Sequence, residues 1–333
     1  MTSKISVFGA GSWGTALAIQ AARNNNPTLL WGHNPEHILH LTQDRQNKRY
    51  LAGLSFPDLL TLSSDIKTAA QYSDVLLISV PSHAFKDTLL KIKPFVSDQV
   101  KIAWASKGFA PGSGEFLHQT VAHVFGKNTP AAVLSGPSFA KEVAADLPTA
   151  VTIAATQQSF ADELAGIMHS PHFRTYTTTD IISVQVGGAV KNVLAIAAGI
   201  ADGIGFGANT RAALVTRGIA EISRLNTALG GQQETLMGLS GLGDLILTCI
   251  DNQSRNRRFG LALGQGKNKA EAIKEIGQEV EGISAAKETF FLAKKYNIDM
   301  PITEQIYRVL YDGLAPLSAV QNLLQRDQKA EDL

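Results

Sequence analysis

The sequence predicts an α/β protein with a doubly wound sheet in its N-terminal domain and an all-α C-terminal domain. Three observations carry this prediction. A glycine-rich segment, GAGSWG at 9–14, joins a strand-like run to a helix-like run. Strand and helix patterns then alternate up to about residue 180, as in sheets with crossover helices. Only helical periodicity follows, so we expect domains at 1–180 and 181–333.

The glycine-rich segment predicts a dinucleotide-binding turn of the Rossmann type. Residues 4–8 resemble a short buried strand, and residues 12–24 resemble a helix. Between them Gly9 permits a tight turn, Gly11 lets the backbone approach a pyrophosphate, and Gly14 allows close helix–sheet packing. The pyrophosphate would lie at the helix N-terminus, against N–H groups that have no partner within the helix.

Six further strands are predicted from short apolar runs. They are Thr28–Trp31, Asp74–Val80, Val100–Ala105, Ala131–Leu134, Ala150–Ala154 and His172–Thr175. Several are apolar throughout, as expected of parallel strands that are covered on both faces. Ligands of open α/β sheets bind beyond the carboxyl ends of the strands. The loops after these strands are therefore candidate site segments, and they contain Lys107, Gly136 and Ser138.

Long segments with helical periodicity make up the C-terminal part of the chain. They begin at Ile181, Thr210, Ala270, Ile283 and Ile302. No internal repeat or low-complexity linker interrupts them. We therefore expect a helical domain, with the site in a cleft between it and the sheet domain.

Composition excludes several classes of function. A net charge of +1 gives no reason to expect nucleic acid or an anionic membrane as partner. The single cysteine, Cys249, excludes an intramolecular disulfide and is expected in the core of a protein from a reducing cytoplasm. Because a predicted strand follows directly after the first residues, no signal peptide is expected. Its longest apolar run, Val193–Ala201, is too short to span a bilayer, so no membrane insertion is expected.

Lys191 stands in an unusual setting for a lysine. The residues one helical turn away are Gly187, Gly188, Leu194 and Ala195, whereas a surface lysine has polar neighbours at those spacings. Small residues let another element or a ligand come close, and partial desolvation would lower the lysine pKa toward the range useful for proton transfer. A lysine that extends from a buried helix to solvent is the alternative.

A second glycine-rich segment, GLSGLGD at 238–244, predicts an irregular loop. Such a loop would present Asp244 where backbone, rather than side chains, surrounds it. We therefore treat this carboxylate as a candidate site residue.

The segment after it, SRNRR at 254–258, predicts a phosphate site. Ser254 is a good N-cap, which places Arg255 and Asn256 in the first turn of a helix. Positive side chains are unfavourable there unless an anion binds at that end. A solvated basic face is the alternative, above all for Arg257 and Arg258.

Metal-dependent and nucleophilic hydrolysis find little support. The eight histidines show no metal spacing, and no H-E-x-x-H or G-x-S-x-G motif occurs. His33, His37 and His40 have no carboxylate or cysteine set to complete a site. We expect no metal. Lys107 could also be merely solvated at its strand end.

Together these motifs resemble the bacterial-type NAD(P)-dependent glycerol-3-phosphate dehydrogenase family over essentially the whole chain. The resemblance rests on GAGSWGTALA at 9–18, SKG at 106–108, SGPSFAKEVA at 135–144, GGAVKNVLAIAAGIADG at 187–203, GANTRAAL at 207–214, GLSGLGDLILTC at 238–249, SRNRRFG at 254–260 and VEG at 280–282. The lysine helix and the GLGDL–SRN pair are the most specific of these segments.

The resemblance implies roles for individual residues. Lys191 corresponds to the catalytic proton acceptor of the family, with Lys107 and Asp244 beside it. The substrate-site positions are Lys107, Gly136, Ser138, Lys191, Asp244, Ser254, Arg255 and Asn256. The cofactor positions are Ser12, Trp13, Lys107, Ala140, Arg255 and Glu281, to which the glycine turn adds Gly9, Gly11 and Gly14. His33 stands where the family often has arginine.

The implied reaction is reversible hydride transfer between NAD(P)H and C2 of a three-carbon phosphate. Dihydroxyacetone phosphate would be reduced to sn-glycerol 3-phosphate, a precursor of phospholipids. In the roles implied, Lys191 donates the proton, Lys107 polarises the same oxygen, and Asp244 orients Lys191 or a substrate hydroxyl. Helical second domains of such enzymes often pair, so a homodimer is expected.

The end of the second predicted strand bears on the choice of cofactor. NAD-specific folds usually place an acidic residue there, about 20 residues beyond the glycine motif, which repels a 2′-phosphate. In this chain Gly32-His33-Asn34 stands at that point, with no carboxylate before Glu36. We therefore expect NADPH to be accepted at least as well as NADH.

Two other functions remain open on sequence grounds. A related two-domain hydroxy-acid dehydrogenase would need a carboxylate clamp in place of Arg255 and Asn256. A non-catalytic dinucleotide sensor would keep GAGSWG but would not need Lys191 or Asp244.

Overall fold

The computed structural model of the protein describes residues 3–112 and 114–327. They form two compact units. The first comprises the chain up to Ser106 and Phe116–Ile181, and the second comprises Lys107–Glu115 and the chain from Ile182. The short segment Lys107–Glu115 thus groups with the second unit, although the chain on both sides of it belongs to the first.

The first unit is built on one eight-stranded sheet. Its strands are β1 Ile5–Phe8, β2 Thr28–Trp31, β3 Leu60–Ser63, β4 Val75–Ile78, β5 Lys101–Trp104, β6 Ala131–Ser135, β7 Thr149–Ala155 and β8 Phe173–Thr178. They lie in the order β3-β2-β1-β4-β5-β6-β7-β8, and the pairs from β3 to β6 are parallel. The first six positions follow the doubly wound order of dinucleotide-binding sheets, as the sequence predicts.

Helices connect these strands. They are α1 Ser12–Arg23, α2 Pro35–Asp44, α3 Ile66–Tyr72, α4 Ser82–Ile92 with a 3₁₀ turn Lys93–Phe95, α5 Leu117–Phe125, α6 Ala140–Ala144 and α7 Gln158–Met168. Every residue of β1, β2, β4 and β6 is buried, because the connecting helices cover the sheet. This explains why these strands consist mainly of apolar residues.

Two features of the sheet differ from the sequence-based expectation. β3 is missing from the predicted strands because it alternates at the sheet edge, with Leu60 buried and Thr61 exposed, and so lacks an apolar run. β7 pairs antiparallel with β6, although its apolar run suggested a parallel strand. A parallel return usually runs back along the sheet through a helix, and the helix between β6 and β7, α6, has only five residues.

The second unit is helical. Its helices are α8 Ile181–Ile204, which starts at the last residue of the first unit, α9 Ala208–Ala228, α10 Gln233–Leu236, α11 Asp244–Ile250, α12 Arg255–Gly264, α13 Lys269–Ile276, α14 Glu281–Lys295, α15 Pro301–Tyr311 and α16 Pro316–Leu324. A π-helical turn, Leu239–Gly243, leads directly into α11. The irregular loop predicted there is therefore wrong, because the glycines allow a tightly packed helical turn instead.

α8 is the central helix of this unit. By length and composition it could cross a membrane, but 94% of its most apolar window is buried within the protein. Its apolar character therefore fits a core helix. It also carries Lys191, which is consequently held in the protein interior.

Candidate active site

Lys191 lies in the middle of α8, and its side chain is only 6% exposed. About one turn earlier, an added Cβ at Gly187 would stand 2.8 Å from the carbonyl oxygen of Ser240 and 2.9 Å from Cα of Gly241. The missing side chain therefore lets the π-helical turn pack directly against α8. This contact brings Asp244, the next residue after that turn, to the lysine.

Asp244 binds two lysines at once. Its Oδ1 accepts a hydrogen bond from Lys191 Nζ at 2.5 Å, and its Oδ2 accepts one from Lys107 Nζ at 2.8 Å. Lys191 Nζ also donates to Thr248 Oγ1 at 2.9 Å, and this hydroxyl donates to the Asp244 carbonyl at 2.6 Å. Lys191 is thus buried and paired, which excludes the alternative of a lysine that reaches solvent.

Sequence reasoning missed Thr248. It lies four residues after Asp244 on the same helix, so the two side chains share a face of α11. The i, i+4 spacing would have identified it had the segment been predicted as a helix rather than a loop.

The three charged groups differ in proton affinity. Burial, reinforced by the charge of Lys107, lowers the pKa of Lys191 to about 7, although Asp244 opposes this shift. Burial also disfavours the charged form of Lys107, but the charge and hydrogen bond of Asp244 outweigh it and raise the pKa of Lys107. The two lysines outweigh burial at Asp244 and lower the pKa of its carboxyl. The cluster therefore combines one persistent cation with one lysine that can exchange a proton near neutral pH.

Glu281 is a further acidic group of this cluster. It is the first residue of α14, and burial raises the pKa of its carboxyl. The charges of Arg255, Lys107 and Lys191 partly offset that rise. Glu281 thus lies within electrostatic reach of both the two-lysine cluster and the start of α12.

The start of α12 has the geometry that the sequence predicts. Ser254 Oγ accepts a hydrogen bond from the backbone N–H of Arg257 at 3.2 Å and so caps the helix. Asn256 Nδ2 donates to Asn192 Oδ1 at 3.0 Å, while its Oδ1 accepts from the Gly282 N–H at 2.9 Å. Asn256 therefore joins α12 to α8 and α14.

The glycine turn of the first unit fits a dinucleotide. Gly9 has φ +122°, and an added Cβ would stand 2.7 Å from the carbonyl oxygen of Ser79. A Cβ at Gly14 would lie 1.9 Å from the Gly9 carbonyl oxygen, whereas one at Gly11 would meet nothing within 4 Å. Trp13 Nε1 is buried and has no hydrogen-bond partner among the residues described. Close packing at Gly14 and open space at Gly11 are what the predicted roles require.

Two side chains that the sequence analysis did not assign hold this turn. Asn47 is fully buried, and its Nδ2 donates to the Ala10 carbonyl at 3.2 Å and to Thr15 Oγ1 at 2.9 Å. His37 Nε2 lies 3.3 Å from the same carbonyl. Because α1 starts at Ser12, the first N–H groups of the helix have no partner within it and can bind an anion.

The remaining predicted residues of the first unit lie at strand ends. His33 is exposed, two residues beyond β2. Its neighbour Asn34 caps α2 by accepting the N–H of His37 at 3.0 Å. Gly136 follows β6 with φ +151°, and Ser138 Oγ donates to its carbonyl at 2.9 Å. Ala140 is the first residue of α6. These residues and the glycine turn belong to one unit, and the two-lysine cluster belongs to the other.

Two further sequence predictions can be compared with the structure. Cys249 is a buried core residue, and burial raises the pKa of its thiol to about 12. Arg257 is buried and paired, so its interpretation as a solvated basic residue is wrong, whereas Arg258 is exposed. Among residues 3–112 and 114–327, no group of three or more His, Cys, Asp or Glu side chains could hold a metal ion.

Comparison with known proteins adds to this geometry. The family described as NAD-dependent glycerol-3-phosphate dehydrogenase matches in two parts, its N-terminus at residues 4–161 and its C-terminus at residues 180–321. A glycerol-3-phosphate dehydrogenase [NAD(P)+] from Colwellia psychrerythraea is 54% identical over 99% of both chains. Its counterpart from Aeromonas hydrophila is 55% identical over 98% of both. The crystal structure of glycerol-3-phosphate dehydrogenase from Coxiella burnetii is 47% identical, covers 98% of this chain and 99% of its own, and superposes with a TM-score of 0.94.

Proposed function

The chain belongs to the NAD-dependent glycerol-3-phosphate dehydrogenase family, and from this premise we propose that it reduces dihydroxyacetone phosphate to sn-glycerol 3-phosphate with NAD(P)H. The observation that carries the proposal is the buried pair of Lys191 and Asp244, with Lys107 on the second carboxylate oxygen. A non-catalytic dinucleotide sensor would have no use for such a pair. The product would supply glycerophospholipid synthesis.

Lys191 is the general acid of the reduction. When bound, NAD(P)H supplies the hydride that the C2 carbon accepts. The C2 oxygen then needs a proton, which Lys191 gives up readily because its pKa is about 7. Lys107 stays charged and stabilises negative charge on the same oxygen. Asp244 orients both ammonium groups, and Thr248 fixes Lys191 by accepting its second hydrogen bond.

The start of α12 binds the substrate phosphate. Arg255 lies in the first turn, where its charge opposes the helix dipole unless an anion is present. The Ser254 hydroxyl and the second N–H of Asn256 add donors at the same helix end. Gly136 and Ser138, in the first unit, are the remaining residues that we propose for substrate binding.

The two parts of the chain divide the work. Residues 1–180 bind the cofactor through Gly9, Gly11 and Gly14 with Ser12 and Trp13, together with His33 and Ala140. Residues 181–333 carry Lys191 and the start of α12, which bind the substrate. Arg255 and Lys107 contact both ligands, and Glu281 contacts the cofactor. We further propose a cytoplasmic homodimer that binds neither nucleic acid nor membrane.

A spectrophotometric assay tests the proposed function. The protein is mixed with NADH or NADPH and dihydroxyacetone phosphate, and the absorbance of the reduced nicotinamide is followed. We expect rapid loss of absorbance, and almost none when unphosphorylated dihydroxyacetone replaces the substrate. Oxidation driven by 2-keto acids instead would favour a hydroxy-acid dehydrogenase. Cofactor binding without turnover of either class would favour a sensor.

Cofactor choice depends on the end of β2. His33 and Asn34 stand there, and the strand end has no carboxylate before Glu36 that would repel a 2′-phosphate. NADPH should therefore have a KM no higher than that of NADH, and His33→Asp should raise the KM for NADPH far more than that for NADH. If the wild type used NADH alone, the predicted cofactor choice would be wrong, but the proposed reaction would be unaffected.

A further inference from the structure

Arg257 is a buried cation that the proposed mechanism does not use. Its side chain is 8% exposed, and all three guanidinium nitrogens are engaged. Nε donates to the Cys249 carbonyl at 3.1 Å, Nη1 donates to Asn252 Oδ1, and Nη2 donates to Asp202 Oδ2 at 2.5 Å. A side chain in this state belongs to the internal framework of the unit.

The partners of Arg257 lie on or next to three elements of the helical unit that carry proposed site residues. Asp202 stands on α8, about three turns beyond Lys191. Cys249 lies near the end of α11, which begins with Asp244, and Asn252 lies in the turn that leads to α12. Arg257 itself is in the first turn of α12. One guanidinium therefore links the lysine helix, the carboxylate helix and the phosphate-binding helix end.

Charge balance alone does not require this arginine. Asp202 Oδ1 also accepts hydrogen bonds from Arg211 Nε at 3.2 Å and Nη2 at 2.8 Å. Without Arg257, the buried carboxylate would still be paired with Arg211 on α9. What only Arg257 supplies is the geometric link from Asp202 to the turn between α11 and α12.

We propose that Arg257 is a positioning residue that holds the start of α12 in register with Lys191. It fixes Ser254 and Arg255 at the distance from Lys191 that the phosphate and the C2 carbonyl of one substrate require. This inference rests on the proposed function. Misplacement by about 1 Å can cost about 100-fold in rate even when the substituted residue is remote from the reacting atoms.

The test compares Arg257→Ala and Arg257→Lys with Arg258→Ala, the exposed neighbouring arginine. For each variant, kcat and KM are measured with dihydroxyacetone phosphate and with unphosphorylated dihydroxyacetone, below the onset of thermal unfolding. We expect Arg257→Ala to lower kcat/KM for the phosphate ester by about 10- to 100-fold, chiefly through KM, and for dihydroxyacetone far less. A lysine at position 257 can reach one of the three acceptors, so kcat/KM of Arg257→Lys for the phosphate ester should lie between the values for the wild type and Arg257→Ala. Arg258→Ala should have the same kcat/KM as the wild type.

The ratio of the two kcat/KM values separates positioning from stability. A merely structural role would lower both values together and leave the ratio unchanged, which would overturn the inference. If Arg257→Ala does not fold, an unchanged ratio in Arg257→Lys would overturn it equally. A wild type that reduces both ketones alike would instead refute the proposed phosphate site, and the inference with it.

Discussion

Asp244 divides its two carboxylate oxygens between two lysines, and the lysines do not respond alike. Lys107 is the more exposed of the two, with 15% of its side chain accessible against 6% for Lys191. The deeper burial of Lys191 makes its charge costlier to keep, and the neighbouring ammonium adds to that cost. At the scale of single residues, Lys107 thus keeps its positive charge, whereas Lys191 can exchange a proton.

The proton exchange of Lys191 predicts opposite pH dependences for the two directions of the reaction. Reduction needs Lys191 as the ammonium ion, so kcat/KM for dihydroxyacetone phosphate should fall as pH rises through about 7. Oxidation of sn-glycerol 3-phosphate needs the amine, so its kcat/KM should rise over the same range. Initial rates measured in both directions between about pH 6 and pH 9 would check this.

Asp244→Asn provides the matched variant for the pH experiment. Loss of the carboxylate charge removes what keeps Lys191 protonated, so the fall in reduction rate should begin at lower pH than in the wild type. Profiles that change in the same direction for reduction and oxidation would contradict the assignment of Lys191.

Arg255 is predicted to act on the phosphate group. Arg255→Ala should lower kcat/KM for dihydroxyacetone phosphate by about 10- to 100-fold, because a charge-assisted contact contributes about 1.5–3 kcal/mol. The wild-type preference over dihydroxyacetone should shrink by the same factor. Steady-state rates on both ketones measure it, with Arg258→Ala as the control. If Arg255→Ala kept the wild-type preference for dihydroxyacetone phosphate over dihydroxyacetone, the phosphate would not bind at Arg255.

Among the elements, α8 and α12 pack backbone against backbone. An added Cβ at Gly199 would stand 2.0 Å from the carbonyl oxygen of Arg257, and one at Gly260 would stand 2.1 Å from that of Ile196. Gly203 and Gly264 repeat the pattern one turn on, each with backbone atoms of the other helix within 3 Å of the added atom. These glycines let Asn192 on α8 reach Asn256 on α12.

Gly199→Ala should therefore destabilise the protein. The methyl group would meet backbone atoms that cannot give way without moving a helix, at a cost of about 1–3 kcal/mol. Gly166→Ala is the matched control, since Gly166 is exposed within α7 and an added Cβ meets nothing within 4 Å. That change should be neutral or stabilising by up to about 1 kcal/mol. Thermal unfolding of both variants checks the prediction, and equal midpoints would contradict the packing account.

The elements that could be predicted from the sequence are those with a strong local signal. β2 and the long helix α8 begin at the predicted residues, and β1 begins one residue later than predicted, because burial leaves apolar runs in the sequence. Edge strand β3 and the reversed direction of β7 depend on pairing partners and on the length of a connection, which no local pattern contains. The π-helical turn before Asp244 was predicted as a loop because glycine occurs both in irregular loops and where two segments pack closely.

At the scale of the whole molecule, the sequence predicted which residues belong to the candidate site better than it predicted which of them contact one another. The sequence pointed to Lys191, Asp244 and Arg255, because each stands in surroundings that its chemistry does not favour without a ligand or partner. The resemblance implied that Asp244 orients Lys191, but the division of its carboxylate between Lys191 and Lys107 and the contacts of Arg257 could not be predicted. Both depend on contacts between segments about 50 residues or more apart in the chain.

The glycine turn proposed to bind the cofactor and the proposed general acid, Lys191, lie in different units. Gly9, Gly11 and Gly14 lie in the sheet unit, while Lys191 and Asp244 lie in the helical unit. Loss of the acid should therefore leave the affinity for the dinucleotide in place.

Lys191→Met tests this account most directly, because methionine matches the length of the buried side chain and removes the proton donor. Turnover of dihydroxyacetone phosphate and the Kd for NADPH, from quenching of tryptophan fluorescence, are measured on the same preparation. We expect kcat to fall by about 10²- to 10⁴-fold, as for the loss of a general acid, while the Kd stays close to that of the wild type. Turnover within a few-fold of wild type would contradict the account.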